Sequence, residues 1–208
     1  MCRVSWSGYF TPLVRRGALI YSGVGAINNN FQKFIYKIFG TNFVIGSQIR
    51  DQISILGTRL PASFKRREMD DLGCGDGKTT LLLKEVFQPL KLRGFDVHPS
   101  LVKRAINNGI KAEILNLDDC LPSGELAVMW GVLHHLNDRE SCLKKIKENY
   151  PMAFIREPIK NKAIKGFEMG QPLIKAEIEA LIKRYFPEAQ TFYYNHCIFI
   201  LYTAPGYK

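Results

Sequence analysis

The sequence lacks the features that mark several common classes of protein. Its five cysteines are odd in number, scattered, and never form a Cys-x-x-Cys pair, which argues against a disulfide framework or a zinc site. No apolar run approaches the length of a membrane span. The N-terminus has Arg3 but no apolar stretch followed by a small-residue cleavage site, so no secretory signal is expected. We therefore predict a cytoplasmic protein with reduced thiols and no bound metal.

Acidic residues are scarce in the first third of the chain. Residues 1–68 contain ten Lys and Arg but only Asp51 and Glu68, so they account for +8 of the net charge of +10. A basic segment on a nearly neutral body favours an acidic partner, which could be a phosphorylated or carboxylated substrate, RNA or an anionic membrane surface. The alternative is a solvated surface that keeps the protein soluble.

The length of 208 residues suits one domain with a small appendage. We expect a basic, aromatic-rich cap segment over residues 1–60 and the main domain over residues 61–208. Apolar residues at helical spacing over 31–38 predict a short helical cap. A second helix is predicted over 47–56, with Ser47 as its N-cap and Gly57 as its stop signal.

The central stretch of the sequence is Asp-Leu-Gly-Cys-Gly-Asp-Gly at residues 71–77. A short strand ending at Leu72, three alternate glycines and the helical run after Lys78 together predict a nucleotide cradle of the doubly wound α/β class. The phosphate-binding P-loop needs a glycine where Leu72 stands, and the dinucleotide fingerprint needs its third glycine where Lys78 stands. Both alternatives are therefore excluded. Thr79 and Thr80 are expected to cap the helix.

Strands and helices alternate after this turn, which predicts a parallel sheet, and two adjoining aromatic runs at the end predict an antiparallel hairpin. The predicted helices are 78–87, 100–107, 139–149 and 175–186, and the predicted strands after the first are 92–97, 112–115, 126–130, 152–155, 191–194 and 197–202. Because strand ends in such a sheet meet in one crevice, ligands are expected there.

Four features in order resemble the class I S-adenosylmethionine-dependent methyltransferases over residues 69–158. They are the glycine turn, Asp96 at the second strand end, Asp118 after the third strand, and Val-Leu-His-His-Leu at 132–136. The resemblance implies a Rossmann-like doubly wound sheet of seven strands with a C-terminal antiparallel hairpin, and S-adenosylmethionine as cofactor. Two residues depart from the pattern: Asp70 stands where an apolar residue is usual, and Trp130 where a smaller or polar one is common.

The resemblance also implies roles in cofactor binding. The glycines would allow backbone approach to the methionine end, and Asp96 would accept the ribose hydroxyls. Asp118 would accept from the adenine amino group while Leu117 packs on the ring, and Asp119 is a near-equal rival for the adenine contact. The predicted cofactor-binding residues are Asp71, Gly73, Cys74, Gly75, Gly77, Asp96, Val97, Leu117, Asp118, Asp119 and Trp130.

A general base is needed only when the methyl acceptor must lose a proton early. His134 and His135 are the best candidates, because a neutral imidazole suits proton removal near pH 7. Two adjacent residues cannot both face the crevice, so we expect His135 in the pocket, by analogy with the family, and a structural role for His134. Glu157, at the fifth strand end, is the next candidate, and its alternative role is an ion pair with Arg156 or a lysine.

We expect a methyltransferase that acts on an oxygen or nitrogen atom of a small metabolite, and the basic composition is compatible with an anionic one. No Asn/Asp-Pro-Pro-Tyr motif follows the fourth strand, and no Pro-Cys provides a nucleophile for cytosine. An RNA or protein methyltransferase that docks through residues 1–68 remains an alternative. A module that binds S-adenosylmethionine without turnover is the second alternative.

Overall fold

A computed structural model describes residues 46–160 and 171–207 of the chain. The helices are α1 (Gly46–Arg59), α2 (Lys78–Phe87), α3 (Pro99–Asn107), α4 (Arg139–Asn149) and α5 (Lys175–Tyr185), with 3-10 turns at Ala62–Phe64 and Leu133–His135. The strands are β1 (Glu68–Leu72), β2 (Lys91–Asp96), β3 (Ala112–Ile114), β4 (Leu126–Trp130), β5 (Met152–Pro158), β6 (Gln190–Tyr194) and β7 (Cys197–Thr203). The short helical cap predicted over 31–38 lies outside the described residues.

The strands form one seven-stranded sheet in the order β3-β2-β1-β4-β5-β7-β6. β1 to β5 are parallel, and β7 pairs antiparallel with both β5 and β6. The strand order reverses between β1 and β4, so the loops after these strands diverge and open a crevice between them. The predicted α/β fold with a C-terminal antiparallel hairpin is confirmed.

Helices cover both faces of the sheet because the inner strands are apolar on both sides. On one face, buried residues of α1 and α2 pack with alternate residues of β4, β5 and β7. On the other face, α4 and α5 pack on the intervening residues of the same strands. In β5, for example, Phe154 belongs to the first face and Ile155 to the second. This alternation fixes which side chains at the strand ends can reach α1.

Two local predictions about helices are wrong. Gly57 does not stop α1, which continues to Arg59. Because Leu60 packs in the core and Pro61 follows it, burial and the missing proline amide set the end of this helix. Thr80 does not cap α2, since Gly77 is the N-cap and Thr80 donates to Asp71. The side chain of Ser47, the predicted N-cap, is not among the described side chains, so this prediction stays open. The predicted strand bounds differ from the observed ones by up to three residues.

The unusual Asp70 in β1 is explained by an ion pair across the sheet. Asp70 lies opposite Arg93 of β2, whose Nε and Nη2 donate to its two carboxylate oxygens at 2.7 and 2.6 Å. The hydroxyl of Tyr150 donates to the same carboxylate at 2.8 Å. Asp70 is buried, so these donors replace its hydration. The hydrogen bond to Asp70 raises the pKa of Arg93.

We expect Asp70→Asn to lower the free energy of unfolding by about 3 kcal/mol, because it leaves a partly buried guanidinium without its counter-charge. Urea denaturation measures the loss. Glu68→Gln is the matched control, since it breaks the exposed Lys91–Glu68 pair at 3.3 Å and should cost less than about 1 kcal/mol. Equal losses in the two variants would contradict the structural role of Asp70.

Candidate functional site

The candidate site lies at the carboxyl ends of β1, β2, β4 and β5, where the loops after these strands meet. The loop after β1 turns sharply because Gly73, Gly75 and Gly77 all have positive φ, at 90°, 57° and 81°. Its first two amides, of Gly73 and Cys74, both donate to the carbonyl of Phe95 in β2. The glycine loop is therefore attached to the end of β2.

The carboxylate of Asp96 joins the glycine loop to the turn after β2. Its Oδ2 accepts from the Gly75 amide at 3.0 Å, and its Oδ1 accepts from the His98 amide at 2.8 Å. Burial raises the pKa of Asp96, and these two amide donors oppose the rise. The structure thus places Asp96 beside the glycine loop, as a ribose-binding role requires, and also shows a structural role that the sequence did not reveal.

Asp71 lies beneath the glycine loop with one oxygen unpaired. Thr80 Oγ1 donates to Asp71 Oδ2 at 2.5 Å, while the buried Oδ1 has no partner among the described residues. Burial raises the pKa of Asp71 to about 7, with the Thr80 hydrogen bond acting in the opposite direction. An unpaired buried acceptor is costly. Asp71 Oδ1 is thus a natural acceptor for a donor group of a bound ligand.

The turn after β4 is held by Glu157 of β5. One carboxylate oxygen accepts the amides of Val132 and Leu133, both at 2.7 Å, and the other lies 2.8 Å from Nδ1 of His134. Burial by itself raises the pKa of Glu157, but His134 and the Leu133 amide outweigh it and keep the pKa below its ordinary value. These contacts favour a positioning role for Glu157 over that of a base.

The two histidines occupy different environments. His134 is buried against Glu157, whereas the side chain of His135 is exposed, with the two ring centroids 4.0 Å apart. Desolvation, together with repulsion from His134, lowers the pKa of His135 to about 4. Water around the exposed side chain reduces this shift. Whether the pKa of His135 is about 4 or the ordinary 6.5, the imidazole is mainly neutral at pH 7. His135 is therefore available to accept a proton.

The residues predicted to surround adenine lie at the ends of β2 and β3. Val97 is exposed and Leu117 is buried. The Asp118 carboxylate accepts the backbone amides of Asn137 and Asp138 at 3.2 and 3.3 Å, so it holds the loop that leads into α4. Asp119 is exposed and accepts from the side chain of Asn116. The choice between Asp118 and Asp119 as adenine partner stays a prediction.

Cys74 and Trp130 are packed into the protein. Cys74 is buried against Ala105 and Ile110, and burial raises the pKa of its thiol, so it stays protonated. The ring of Trp130 packs between Phe154 and Phe199, with centroid distances of 6.3 and 6.1 Å. Both side chains support the walls of the crevice, and their predicted cofactor contacts stay predictions.

A polar cluster that the sequence did not reveal lies beside Trp130. Arg156 of β5 is only 8% exposed. Its Nε donates to Oε1 of Gln52 in α1 at 2.9 Å, and its Nη2 lies 2.7 Å from Sγ of Cys197. The guanidinium carbon lies 5.3 Å from the ring centroid of Trp130. No local pattern could have shown this, because its partners are 104 and 41 residues away.

The described part of the chain shows neither a metal site nor a membrane-spanning helix. Within residues 46–160 and 171–207, no group of His, Cys, Asp and Glu side chains is placed to hold a metal ion. In the same part of the chain, no helix combines the length and apolar character needed to cross a membrane.

Comparison with known families assigns the class of the domain. Residues 71–149 match the family model described as a methyltransferase domain. The matched stretch begins in β1 and ends at the last residue of α4, so it contains the glycine turn, Asp96, Asp118 and both histidines. No curated protein matches the sequence.

Solved structures with the same fold are numerous but distant in sequence. Magnesium protoporphyrin IX methyltransferase from Synechocystis PCC 6803 is 12% identical, with a TM-score of 0.60, over 85% of this chain and 95% of its own. DhpI, solved with S-adenosylhomocysteine, is 14% identical, with a TM-score of 0.63 over the same shares. An S-adenosylmethionine-dependent methyltransferase from Aquifex aeolicus is 18% identical, with a TM-score of 0.54, over 75% of this chain and 96% of its own.

The sheet and the glycine turn define a Rossmann-like α/β domain with a crevice at the carboxyl edge of its strands. Since the family model matches residues 71–149, this part of the chain is a methyltransferase domain, and the described fold is that of S-adenosylmethionine-dependent methyltransferases. The predicted family, enzyme class and cofactor are therefore confirmed.

Gly73→Ala tests how tightly the glycine turn fits the turn after β4. At φ 90° an added Cβ is strained and would also overlap the side chain of Val132. Gly109→Ala is the matched control, because it has φ 83° with nothing within 4 Å. We expect the control to lose about 1 to 2 kcal/mol of unfolding free energy, and Gly73→Ala to lose about 1 to 3 kcal/mol more. Equal losses by urea denaturation would contradict the close approach.

Proposed function

We propose that the chain transfers a methyl group from S-adenosylmethionine to an oxygen or nitrogen atom of a small anionic metabolite. The proposal rests chiefly on the carboxyl edge of the sheet, which carries both the glycine crevice and, at the ends of β5 and β6, a groove lined by two lysines. Residues 1–45 lie outside the described structure, so docking of RNA or protein through the whole basic segment is left as an outcome of the test below.

The residues at the crevice fit the proposed roles in cofactor binding. Asp71 Oδ1 is a buried acceptor with an unused lone pair, which suits the ammonium of the methionine moiety. Asp96 lies at the end of β2, where it can accept ribose hydroxyls while it keeps its two amide donors. Val97 and Leu117 supply apolar surface next to Asp118 and Asp119 for adenine. When bound, the sulfonium supplies an already activated methyl group.

A groove at the same edge of the sheet favours an anionic acceptor. It has a volume of about 400 Å³ and lies between the ends of β5 and β6 and the starts of β7 and α5. Lys160 and Lys175 line it, and both are exposed. Lys175 also pairs with Glu179 at 3.7 Å, so the charge of Lys160 and part of that of Lys175 are available to an acidic ligand.

In this proposal the protein contributes mainly by positioning. Holding two reactants at near-attack distance can supply roughly 7–11 kcal/mol of a barrier. Glu157 fixes the turn that carries both histidines, and the neutral ring of His135 takes a proton from an acceptor that has one to lose. His134, held at Nδ1 by Glu157, keeps the turn in place.

The direct test is methyl-labelled S-adenosylmethionine with fractionated cell extract. We expect label in small molecules that bind an anion-exchange resin. Label in RNA or protein instead would contradict the small-molecule proposal, and salt-sensitive retention on RNA would support docking through the basic segment. Tight cofactor binding without label in any fraction would favour a module that does not turn over.

Asp96→Ala tests the cofactor-binding role of the β2 end. We expect its affinity for S-adenosylhomocysteine to fall at least about tenfold, because charge-assisted hydrogen bonds are worth roughly 1.5–3 kcal/mol. Calorimetry measures the change. Glu113→Ala, at an exposed carboxylate of β3, is the control, and Asp119→Ala is compared with both variants. Unchanged affinity in Asp96→Ala would refute the ribose role. A loss in Asp119→Ala would instead identify it as the adenine partner.

The pH profile of turnover tests His135 as the base. A base acts when neutral, so activity is lost as pH falls through its pKa, which lies below the ordinary 6.5. We expect constant turnover from pH 6.5 to 8 and a decline between pH 6.5 and 4. His135→Ala should abolish this decline with pH and lower turnover about 10²- to 10⁴-fold. Intact turnover in that variant, or a midpoint above 6.5, would show that another group takes the proton.

A further inference from the structure

Arg156 carries a buried charge that no carboxylate of the described residues contacts directly. Its guanidinium is permanently charged, and the side chain is more than nine-tenths buried. No carboxylate lies within ion-pair distance of it among residues 46–160 and 171–207. A buried charge without a partner destabilises a protein strongly, so such groups are normally paired.

None of the contacts that Arg156 makes is with a carboxylate. They are the amide oxygen of Gln52, the sulfur of Cys197 and the face of Trp130. Sulfur is a weak acceptor, and neither the amide nor the ring carries a charge. Glu157 follows Arg156 along the strand, and the charge of Arg156 helps to lower the pKa of Glu157. Glu157 nevertheless projects to the opposite face of β5, and its oxygens are held by His134 and the turn amides.

The third nitrogen of the guanidinium lies beside Gly131, the first residue after β4. A Cβ built on Gly131 would come within 3.2 Å of Nη1 of Arg156. Gly131 directly follows β4, and its amide donates to the carbonyl of Arg156 at 2.7 Å. Because Gly131 has no side chain, the turn after β4 leaves Nη1 uncovered on that side, at the carboxyl edge of the sheet where the cofactor crevice is proposed.

We propose that Arg156 is an oxyanion-binding residue of the active site, held in place by Gln52 of α1 and by Trp130. The ligand group is a carboxylate or another oxyanion, carried either by the methionine moiety of the cofactor or by the acceptor. Arginine suits this role because its planar fork pairs with two oxygens at once. The inference rests on the proposed function, since it names the chemistry that the same site recognises.

Calorimetry with two cofactor analogues tests whether Arg156 binds the carboxylate of the methionine moiety. S-Adenosylhomocysteine carries the amino-acid carboxylate, whereas 5′-methylthioadenosine lacks it. If Arg156 binds that carboxylate, Arg156→Met should lower the affinity for S-adenosylhomocysteine at least about tenfold and leave that for 5′-methylthioadenosine unchanged. Arg59→Met is the matched control, because Arg59 is exposed on α1 and stacks on Phe192 away from the crevice.

Inorganic sulfate tests whether Arg156 binds an oxyanion of the methyl acceptor. If Arg156 binds the acceptor, S-adenosylhomocysteine affinity should not change in Arg156→Met. Sulfate added to the protein saturated with S-adenosylhomocysteine should then raise the melting temperature of the wild type and of Arg59→Met, but not that of Arg156→Met. The proposal is overturned if Arg156→Met matches the wild type in both assays.

Two controls separate this outcome from other failures. Should Arg156→Met not fold, Arg156→Lys replaces it, because lysine keeps the charge but not the planar fork. Either its affinity for S-adenosylhomocysteine should then fall about fivefold or more, or the rise in melting temperature with sulfate should be smaller than in the wild type. Wild-type behaviour in both assays overturns the proposal. If the wild type itself binds neither S-adenosylhomocysteine nor 5′-methylthioadenosine, the proposed function fails. Normal binding by the wild type with no effect at Arg156 rejects only the inference.

Discussion

The site depends on one constraint, which is that the backbone amides of the loops at the carboxyl edge need acceptors. Two buried carboxylates at strand ends supply them. Asp96 accepts amides from the glycine loop and from the turn after β2, and Glu157 accepts two amides from the turn after β4. Because each carboxylate stands on a strand fixed by parallel pairing, the loops inherit the geometry of the sheet.

This arrangement explains why the proposed functional groups are also structural. Asp96 and Glu157 cannot be assigned a single role, since the loops that form the crevice are attached to them. The arrangement also separates the two histidines. Glu157 holds His134 inside the protein, and the next residue, His135, is thereby left at the surface of the turn. Arg156 in turn connects the end of β5 to α1 through Gln52, so a helix of the basic segment is attached to the end of β5.

The sequence was sufficient for the fold because its signals are local and periodic. Apolar strands alternating with helices, three alternate glycines after Leu72 and a polar residue at successive strand ends predicted the sheet and the position of the crevice. Contacts between distant residues could not be predicted in this way. The Asp70–Arg93 pair, the Thr80 bond to Asp71 and the Arg156 cluster each depend on residues brought together only by strand order. The prediction that α1 ends at Gly57 was wrong for the same reason, because the burial of Leu60 in the core extends the helix to Arg59.

The central claim is that the carboxyl edge of this sheet is shaped for an adenosyl group joined to a methionine. Titration calorimetry of the wild-type chain with S-adenosylhomocysteine tests it most directly, with ATP and NADH as comparison ligands. The structure predicts saturable binding of one S-adenosylhomocysteine per chain and no comparable heat with the other two. Binding of ATP or NADH in place of S-adenosylhomocysteine would contradict the account.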